Sequence, residues 1–314
     1  MKKLLAVLLT AAMTMAMLTA CGSSTEATDT TTETTEAEAD TTTDGAAVEE
    51  TAEAADAAEE TADAAEETAD AAEETADAAE EAAVSEALAD GMLTAGTNAE
   101  FPPFEYVGDD GEADGFDIAL IKAIGEKLGV DVQVDNMEFA SLVSSIGNKI
   151  DVAIAGMTIT DERKEAVDFS EPYYEAVQYV LLPEGSEIAT AEDLKNKTIG
   201  VQLGTTGDFI ASDIEGTTVN TYNKGVDAVN DLINGRVDCV IIDKNPALVF
   251  ESKFQDDGSK ITAVDGAQFE FEPEYYAIAV PKGDTALVDA INKAIEELKA
   301  DGTFDELVKT YIEE

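Results

Sequence analysis

The stretch GFDIALIKAIGEKLGVDVQV, residues 115–134, sets the architecture. Phe116, Ile118, Ala119, Ile121, Ile124 and Leu128 supply the apolar positions of a helix, and Val130-Asp131-Val132-Gln133-Val134 then reads as a strand. Upstream, Leu93-Thr94-Ala95-Gly96-Thr97 predicts a strand that feeds this helix. Downstream, a short helix over Phe139 to Ile146 and a strand over Asp151 to Ala155 continue the alternation. Repeated strand-helix alternation points to an open α/β sheet and away from helical bundles and sandwiches.

The pattern restarts after Pro183-Glu184-Gly185. A short helix is expected from Ala191 to Leu194, strands at Thr198 to Val201 and Val219 to Tyr222, a helix from Gly225 to Asn234 and a strand from Val237 to Ile242. A strand at Tyr275 to Val280 is followed by helices at Asp284 to Ala300 and Thr303 to Tyr311. Two α/β lobes result.

Charge divides the chain differently. Of its 314 residues 69 are acidic and 18 basic, a net charge of −51. Residues 22–90 hold 24 acidic residues and no lysine or arginine, and residues 91–314 hold 45 acidic against 16 basic, still −29. Such a charge opposes binding to nucleic acid and adsorption to anionic membranes. Histidine is absent, which excludes serine-histidine catalysis and histidine-based zinc sites. The acidic residues show no EF-hand spacing, and Gly204-Thr205-Thr206-Gly207 lacks the lysine and spacing of a phosphate-binding P-loop. No metal and no cofactor are expected.

Lys2 and Lys3 precede an apolar run from Leu4 to Leu18 that is short for a membrane span, so residues 1–20 read as a secretory signal peptide. Leu18-Thr19-Ala20-Cys21 resembles the lipobox of bacterial lipoproteins, implying cleavage before Cys21 and lipidation of it; a plain signal peptide is the rival reading. Residues 21–90 form an acidic tether. Within it, Ala54 to Glu60 (AADAAEE) is followed by three copies of TADAAEE ending at Glu81. Without leucine or isoleucine there is no coiled-coil seam, so a partial single helix is the preferred reading and an alanine-faced oligomer the alternative. Cys239, inside an apolar run, reads as a packing residue.

From Gly91 onward the chain resembles the polar amino-acid-binding family of solute-binding proteins of bacterial ABC importers. The resemblance rests on an ordered series: Gly96 to Glu105 (GTNAEFPPFE), Gly115-Phe116-Asp117, Ala155 to Thr160 (AGMTIT) with Glu162-Arg163, Val167-Asp168-Phe169-Ser170, Tyr173-Tyr174, Gly204-Thr205-Thr206, Asp238 to Asp243 and Gly302-Thr303-Phe304. It implies a type II periplasmic-binding-protein-like α/β fold, with residues 91–180 plus 275–314 as one lobe, 181–274 as the other, and a two-strand hinge between them. It further implies a monomer without enzymatic activity that binds a free L-amino acid, presents it to the permease subunits of an ABC importer and works outside the cytoplasm. Lipid anchoring at a Gram-positive surface is favoured over a Gram-negative periplasm. A sensor or surface interaction protein using the same cleft, and a periplasmic dehydratase-like enzyme, are the alternatives.

Carried over residue by residue, the resemblance assigns Arg163, Thr158 and Thr206 to the ligand α-carboxylate, and Asp243 with Gly156 to the α-ammonium. Phe101 and Phe139 would sandwich the ligand side chain, with Asn98, Glu100 and Gln202 reading its polar end. The rival readings make Arg163 a solvated helix charge, Asp243 a turn residue before Pro246, and the two phenylalanines core. Asn98 stands where relatives often carry Asp, and Ile242 where glutamine-binding relatives carry His. A polar neutral or cationic ligand is therefore expected ahead of an acidic one.

Overall fold

The structure, a computed structural model, describes residues 85–313. The signal peptide, Cys21 and the heptad repeats lie outside the described residues. The folded part begins earlier than Gly91: Ser85 is buried, its hydroxyl donates to Asp284 at 2.6 Å, and Ala87 and Leu88 pack against the core.

In the first lobe the chain runs through strand β1 (Met92–Thr97), a small antiparallel meander of β2 (Glu100–Phe101), β3 (Glu105–Val107) and β4 (Ala113–Asp114), then helix α1 (Phe116–Leu128) and strand β5 (Asp131–Asn136). Gly129 ends α1 in the left-handed region at φ 71°, where its N–H closes on the helix's last carbonyls. A 3-10 turn (Phe139–Ser141) and helix α2 (Leu142–Ser145) share the segment expected as one short helix. Strand β6 (Val152–Ala153), helix α3 (Asp161–Ala166) and strand β7 (Val167–Phe169) follow.

The chain crosses on β8 (Tyr174–Ala176) and builds the second lobe from β9 (Gln178–Pro183), β10 (Thr198–Gln202), α4 (Thr206–Asp213), β11 (Thr218–Tyr222), α5 (Gly225–Ile233), β12 (Cys239–Asp243), α6 (Lys244–Asp256) and β13 (Ile261–Asp265). It returns on β14 (Glu274–Tyr276), then adds β15 (Ala279–Pro281), α7 (Thr285–Asp301) and α8 (Thr303–Tyr311) to the first lobe.

The two sheets share one plan. Their orders are β5-β1-β6-β15-β7 and β11-β10-β12-β9-β13, each with parallel neighbours on one side and antiparallel strands on the other. β8 and β14 form a separate antiparallel pair, Glu274 opposite Ala176 and Tyr276 opposite Tyr174. The lobe boundary therefore falls earlier than 180/181, because β9 belongs wholly to the second sheet. The strand expected over Tyr275 to Val280 is split for the same reason: its first part pairs in the crossing and its second in the first-lobe sheet.

Strand residues such as Leu93, Val152 and Val280 share one core cluster with residues of α1, α7 and α8, and Ile199, Cys239 and Ile241 form part of a second core cluster. Burial pushes the Cys239 thiol up to about 12, so it stays protonated as a packing group. No helix among the described residues is long and apolar enough to cross a membrane.

Candidate functional site

The site lies between the lobes, where chain segments leave their sheets. Thr160, the residue before α3, caps that helix by accepting from the Arg163 N–H at 3.1 Å, which fixes Arg163 in the first turn. The Arg163 side chain is 7% exposed, so it is not a solvated helix charge. Its guanidinium donates to the Thr158 carbonyl of the first lobe at 2.6 Å and to the Gly204 carbonyl of the second at 3.0 Å. Arg163 belongs to none of the ion pairs among the described residues. Burial pulls its pKa down from the ordinary arginine value, the expected sign for a desolvated cation.

Asp243 ends β12 and precedes α6, whose first turn tolerates Pro246 because those N–H groups have no helical partner. Its carboxyl is 7% exposed and accepts from the Tyr276 hydroxyl. Burial, reinforced by the Glu274 charge, raises it to about 7. Arg163 and Asp243 line one cavity together with Asn98, Phe101, Phe139, Ala155, Gly156, Thr158, Gln202, Thr205 and Thr206. Its accessible volume is about 10 Å³, room for about one water molecule, so an amino acid enters it only when the lobes move apart.

Gly156 sits in the left-handed region at φ 53°, and a Cβ there would stand 2.9 Å from the Phe101 ring. Its N–H is committed to Asp117 at 2.7 Å, so only its carbonyl is available to the cleft. Asp117 is itself buried and accepts from the Tyr173 hydroxyl at 2.8 Å. Burial raises Asp117 to about 6. Glu105 faces it, fully buried, and burial first and the neighbouring Asp117 second push Glu105 well above the carboxylate range. Among the described residues both oxygens of Glu105 and Oδ1 of Asp117 have no other hydrogen-bonding partner, and the raised pKa of each carboxyl fits a proton held between them.

That pair has a stability consequence. The unfolded chain releases the Glu105 proton near pH 4.5, whereas the folded chain keeps it, so stability falls as pH rises above that value. Glu105→Gln keeps a donor toward Asp117 without an ionisation to suppress. It is expected to raise the melting temperature at pH 8, with the gain fading near pH 4. Thermal melts across that range check this, and a shift independent of pH would remove the bridging proton from the account.

Several assignments change at atomic detail. The hydroxyls of Thr158 and Thr206, expected to donate to a ligand carboxylate, both donate to Glu274. Phe139 lies over the Arg163 guanidinium, 5.3 Å from ring centroid to Cζ, and so packs against the cation. Glu100 is outside the cavity lining and is ion-paired with Lys224 of the second lobe. Asn98 and Gln202 lie together: Gln202 Nε2 donates to Asn98 Oδ1 at 2.8 Å and to the Asn223 carbonyl at 3.1 Å. Sequence reasoning missed Glu274 and Gln178. Neither lies in one of the quoted motifs: the hinge pairing brings Glu274 to the site, and the pairing of β9 with β12, which sets Gln178 opposite Asp243, brings Gln178.

Two lobes on a two-strand hinge, with a buried cation and a buried carboxyl lining the cleft between them, define a binding protein that encloses a small dipolar solute. Residues 93–314 match the bacterial extracellular solute-binding proteins, family 3, and the chain belongs to that family. It is a solute-binding protein and not an enzyme. The L-cystine-binding protein TcyJ of Escherichia coli (strain K12) is 35% identical over 221 residues, covering 69% of this chain and 81% of that protein. An ancestral arginine-binding protein bound to arginine is similar in structure, with TM-score 0.66, 41% identity, and coverage of 71% of this chain and 98% of that one. An ancestral arginine-binding protein bound to glutamine gives TM-score 0.64, 42% identity, and coverage of 71% and 99%.

Proposed function

We propose that this protein binds one free polar L-amino acid, neutral or cationic, outside the cytoplasm and delivers it to the permease of an ABC importer. The observation that carries this reading is the buried Arg163 guanidinium, held by carbonyls of both lobes and joined to no carboxylate among the described residues, in the same cavity as the buried Asp243. A buried cation of this kind gains most from an anion placed against it. Arg163 takes the ligand α-carboxylate, assisted by backbone N–H groups at Thr158 and at the start of α4. Asp243 and the Gly156 carbonyl take the α-ammonium.

The far end of the cavity supports a side chain that donates hydrogen bonds. Gln202 spends both of its Nε2 hydrogens on protein carbonyls, so it offers a ligand its carbonyl oxygen. Lys224 neutralises Glu100, which leaves the amide pair of Asn98 and Gln202 as the polar readers. This favours an amide or a guanidinium over a carboxylate. Phe101, stacked on Phe104, supplies the apolar wall. The arginine-bound and glutamine-bound structures similar to this chain agree with that chemistry.

Cys21 is the lipid anchor in this reading and the repeat-bearing segment a spacer, so the binding domain works as a tethered monomer, with a Gram-positive surface favoured. Calorimetry on chain lacking residues 1–21, unfolded and refolded to remove carried ligand, tests the ligand reading. One-to-one binding of arginine, glutamine or another donor-terminated amino acid is expected, with aspartate and glutamate much weaker. A refolded protein that binds no amino acid in a full panel refutes it.

A further inference from the structure

One hinge residue reaches both halves of the site. Glu274 opens β14, paired with β8 where the chain passes between the lobes. Its Oε2 accepts from Thr158 Oγ1, in the first lobe, at 2.7 Å and from Thr206 Oγ1, at the start of α4 in the second, at 2.7 Å. Gln178 Nε2 joins the same group, 3.4 Å from Glu274 Oε2 and 3.2 Å from Thr206 Oγ1. A single carboxylate oxygen is thus shared by donors of both lobes, beside the cavity that Thr158 and Thr206 line.

A hydroxyl has one proton and two acceptor lone pairs, and an ionised carboxylate only accepts. Once Thr158 gives its proton to Glu274, its oxygen can meet a ligand only as an acceptor. The same holds for Thr206, which already accepts from Gln178. We propose that Glu274 is a positioning residue for ligand recognition: it draws the hydroxyl protons of Thr158 and Thr206 out of the cleft, which leaves the ligand carboxylate to Arg163 and the backbone N–H groups and the Thr158 oxygen as an acceptor toward the ammonium, and it ties the two lobes together at the hinge. The ligand part of this inference rests on the amino-acid reading above; the tie between lobes does not.

The two parts separate experimentally. In full chain carrying Cys21→Ser, spin labels at Ser144→Cys and Asp227→Cys, exposed positions in different lobes, report the lobe-to-lobe distance without ligand. Calorimetry with L-arginine and L-glutamine reports recognition. Glu274→Ala is expected to shift the ligand-free distance distribution to longer values and to weaken binding of the preferred ligand roughly 10- to 100-fold, the scale of losing hydrogen bonds to a charged group. Glu274→Gln, whose single carbonyl oxygen can accept both hydroxyls, is expected to recover most of both effects. Thr206→Val, which removes the second-lobe donor alone, is expected to open the lobes to a lesser extent.

Unchanged distances and affinity within twofold in Glu274→Ala overturn the proposal. A loss of affinity that Glu274→Gln fails to recover also overturns it, because charge and not hydroxyl orientation would then be the cause. If unmutated protein binds no amino acid in the full panel, the ligand reading fails, and the distance measurement alone decides whether Glu274 ties the lobes.

Discussion

Arg163→Ala is expected to weaken amino-acid binding by roughly 30- to 5,000-fold, corresponding to the 2–5 kcal/mol typical for removing one partner of a buried, hydrogen-bonded charge pair. The size follows from position. The guanidinium is 7% exposed and is held from both sides of the cleft by the Thr158 and Gly204 carbonyls. An incoming carboxylate therefore meets a cation already stripped of water and fixed in direction, and little ordering remains to be done on binding. Arg163→Lys keeps the charge but loses the planar fork, so it cannot hold two carbonyls and a carboxylate in the same geometry; it is expected to recover only a small part of the loss. Calorimetry on refolded protein, with circular dichroism to establish the fold, checks both. An Arg163→Ala protein that binds within threefold of the unmutated chain would show that the ligand carboxylate is held elsewhere, and the amino-acid reading would lose its main support.

The substitution also bears on closure. Arg163 belongs to the first lobe, and its bond to Gly204 is one of the contacts reaching the second. Ala140 and Gly204 also meet across the gap, within about 3.4 Å of the position a Cβ on Gly204 would take. Ligand carboxylate, Arg163 and the start of α4 converge there, so closure and carboxylate recognition share atoms. A ligand that completes that contact only when the lobes are together shifts the population toward the closed form, which is the property a permease can read.

How far the sequence carried the fold depended on which signals were local. The helix over residues 116–128 was legible because its apolar periodicity ends at a glycine, and β1, β5, β10 and β11 were legible as short runs between turn signals. Helix α6, 13 residues long, was not anticipated: Pro246 reads as a breaker, yet it falls in the first turn where it does no harm. α4 escaped because Thr205-Thr206-Gly207 looks like loop chemistry, although Thr205 caps the helix by accepting from the Asp208 N–H. Sheet order and the hinge pairing are non-local; the family resemblance anticipated the two-strand hinge, and nothing in the sequence reading gave the strand order.

The site divides along the same line. Residues inside the quoted motifs, Arg163, Gly156, Thr158, Thr206 and Asp243, lie around one cavity. Which way their donors point did not follow from their types. A threonine hydroxyl can give or take a hydrogen bond, and its direction here is set by Glu274, more than 60 residues away in sequence from both. Glu100 was misplaced for a related reason: its partner Lys224 comes from the other lobe, and no local spacing announces the pair.

Asp243 produces the second large effect, and it is expected to depend on pH. Burial holds its carboxyl at about 7, so near neutrality about half of the ligand-free molecules carry a proton there, and that proton must leave before the carboxylate can receive an ammonium. The sign is fixed by which form binds. Affinity is expected to rise with pH and level off above about pH 8, and at pH 5 to be roughly 100-fold weaker than the plateau, since each pH unit below the free-state value costs about a factor of ten. Calorimetry at pH 7 in buffers of different ionisation enthalpy should show about half a proton released per ligand bound. Asp243→Asn imitates the protonated form at every pH. It is expected to bind as weakly as the unmutated protein does in acid, or more weakly, with the pH dependence removed. Tyr276, whose hydroxyl donates to Asp243, marks a control: Tyr276→Phe takes away a bond that favours the carboxylate form, so the midpoint of the pH curve should move upward while the plateau is largely kept. A flat affinity from pH 5 to 8, together with an Asp243→Asn protein that binds normally, would place the ammonium contact away from Asp243. Asp243 would then be a buried neutral acid serving only the packing of β12 against the hinge.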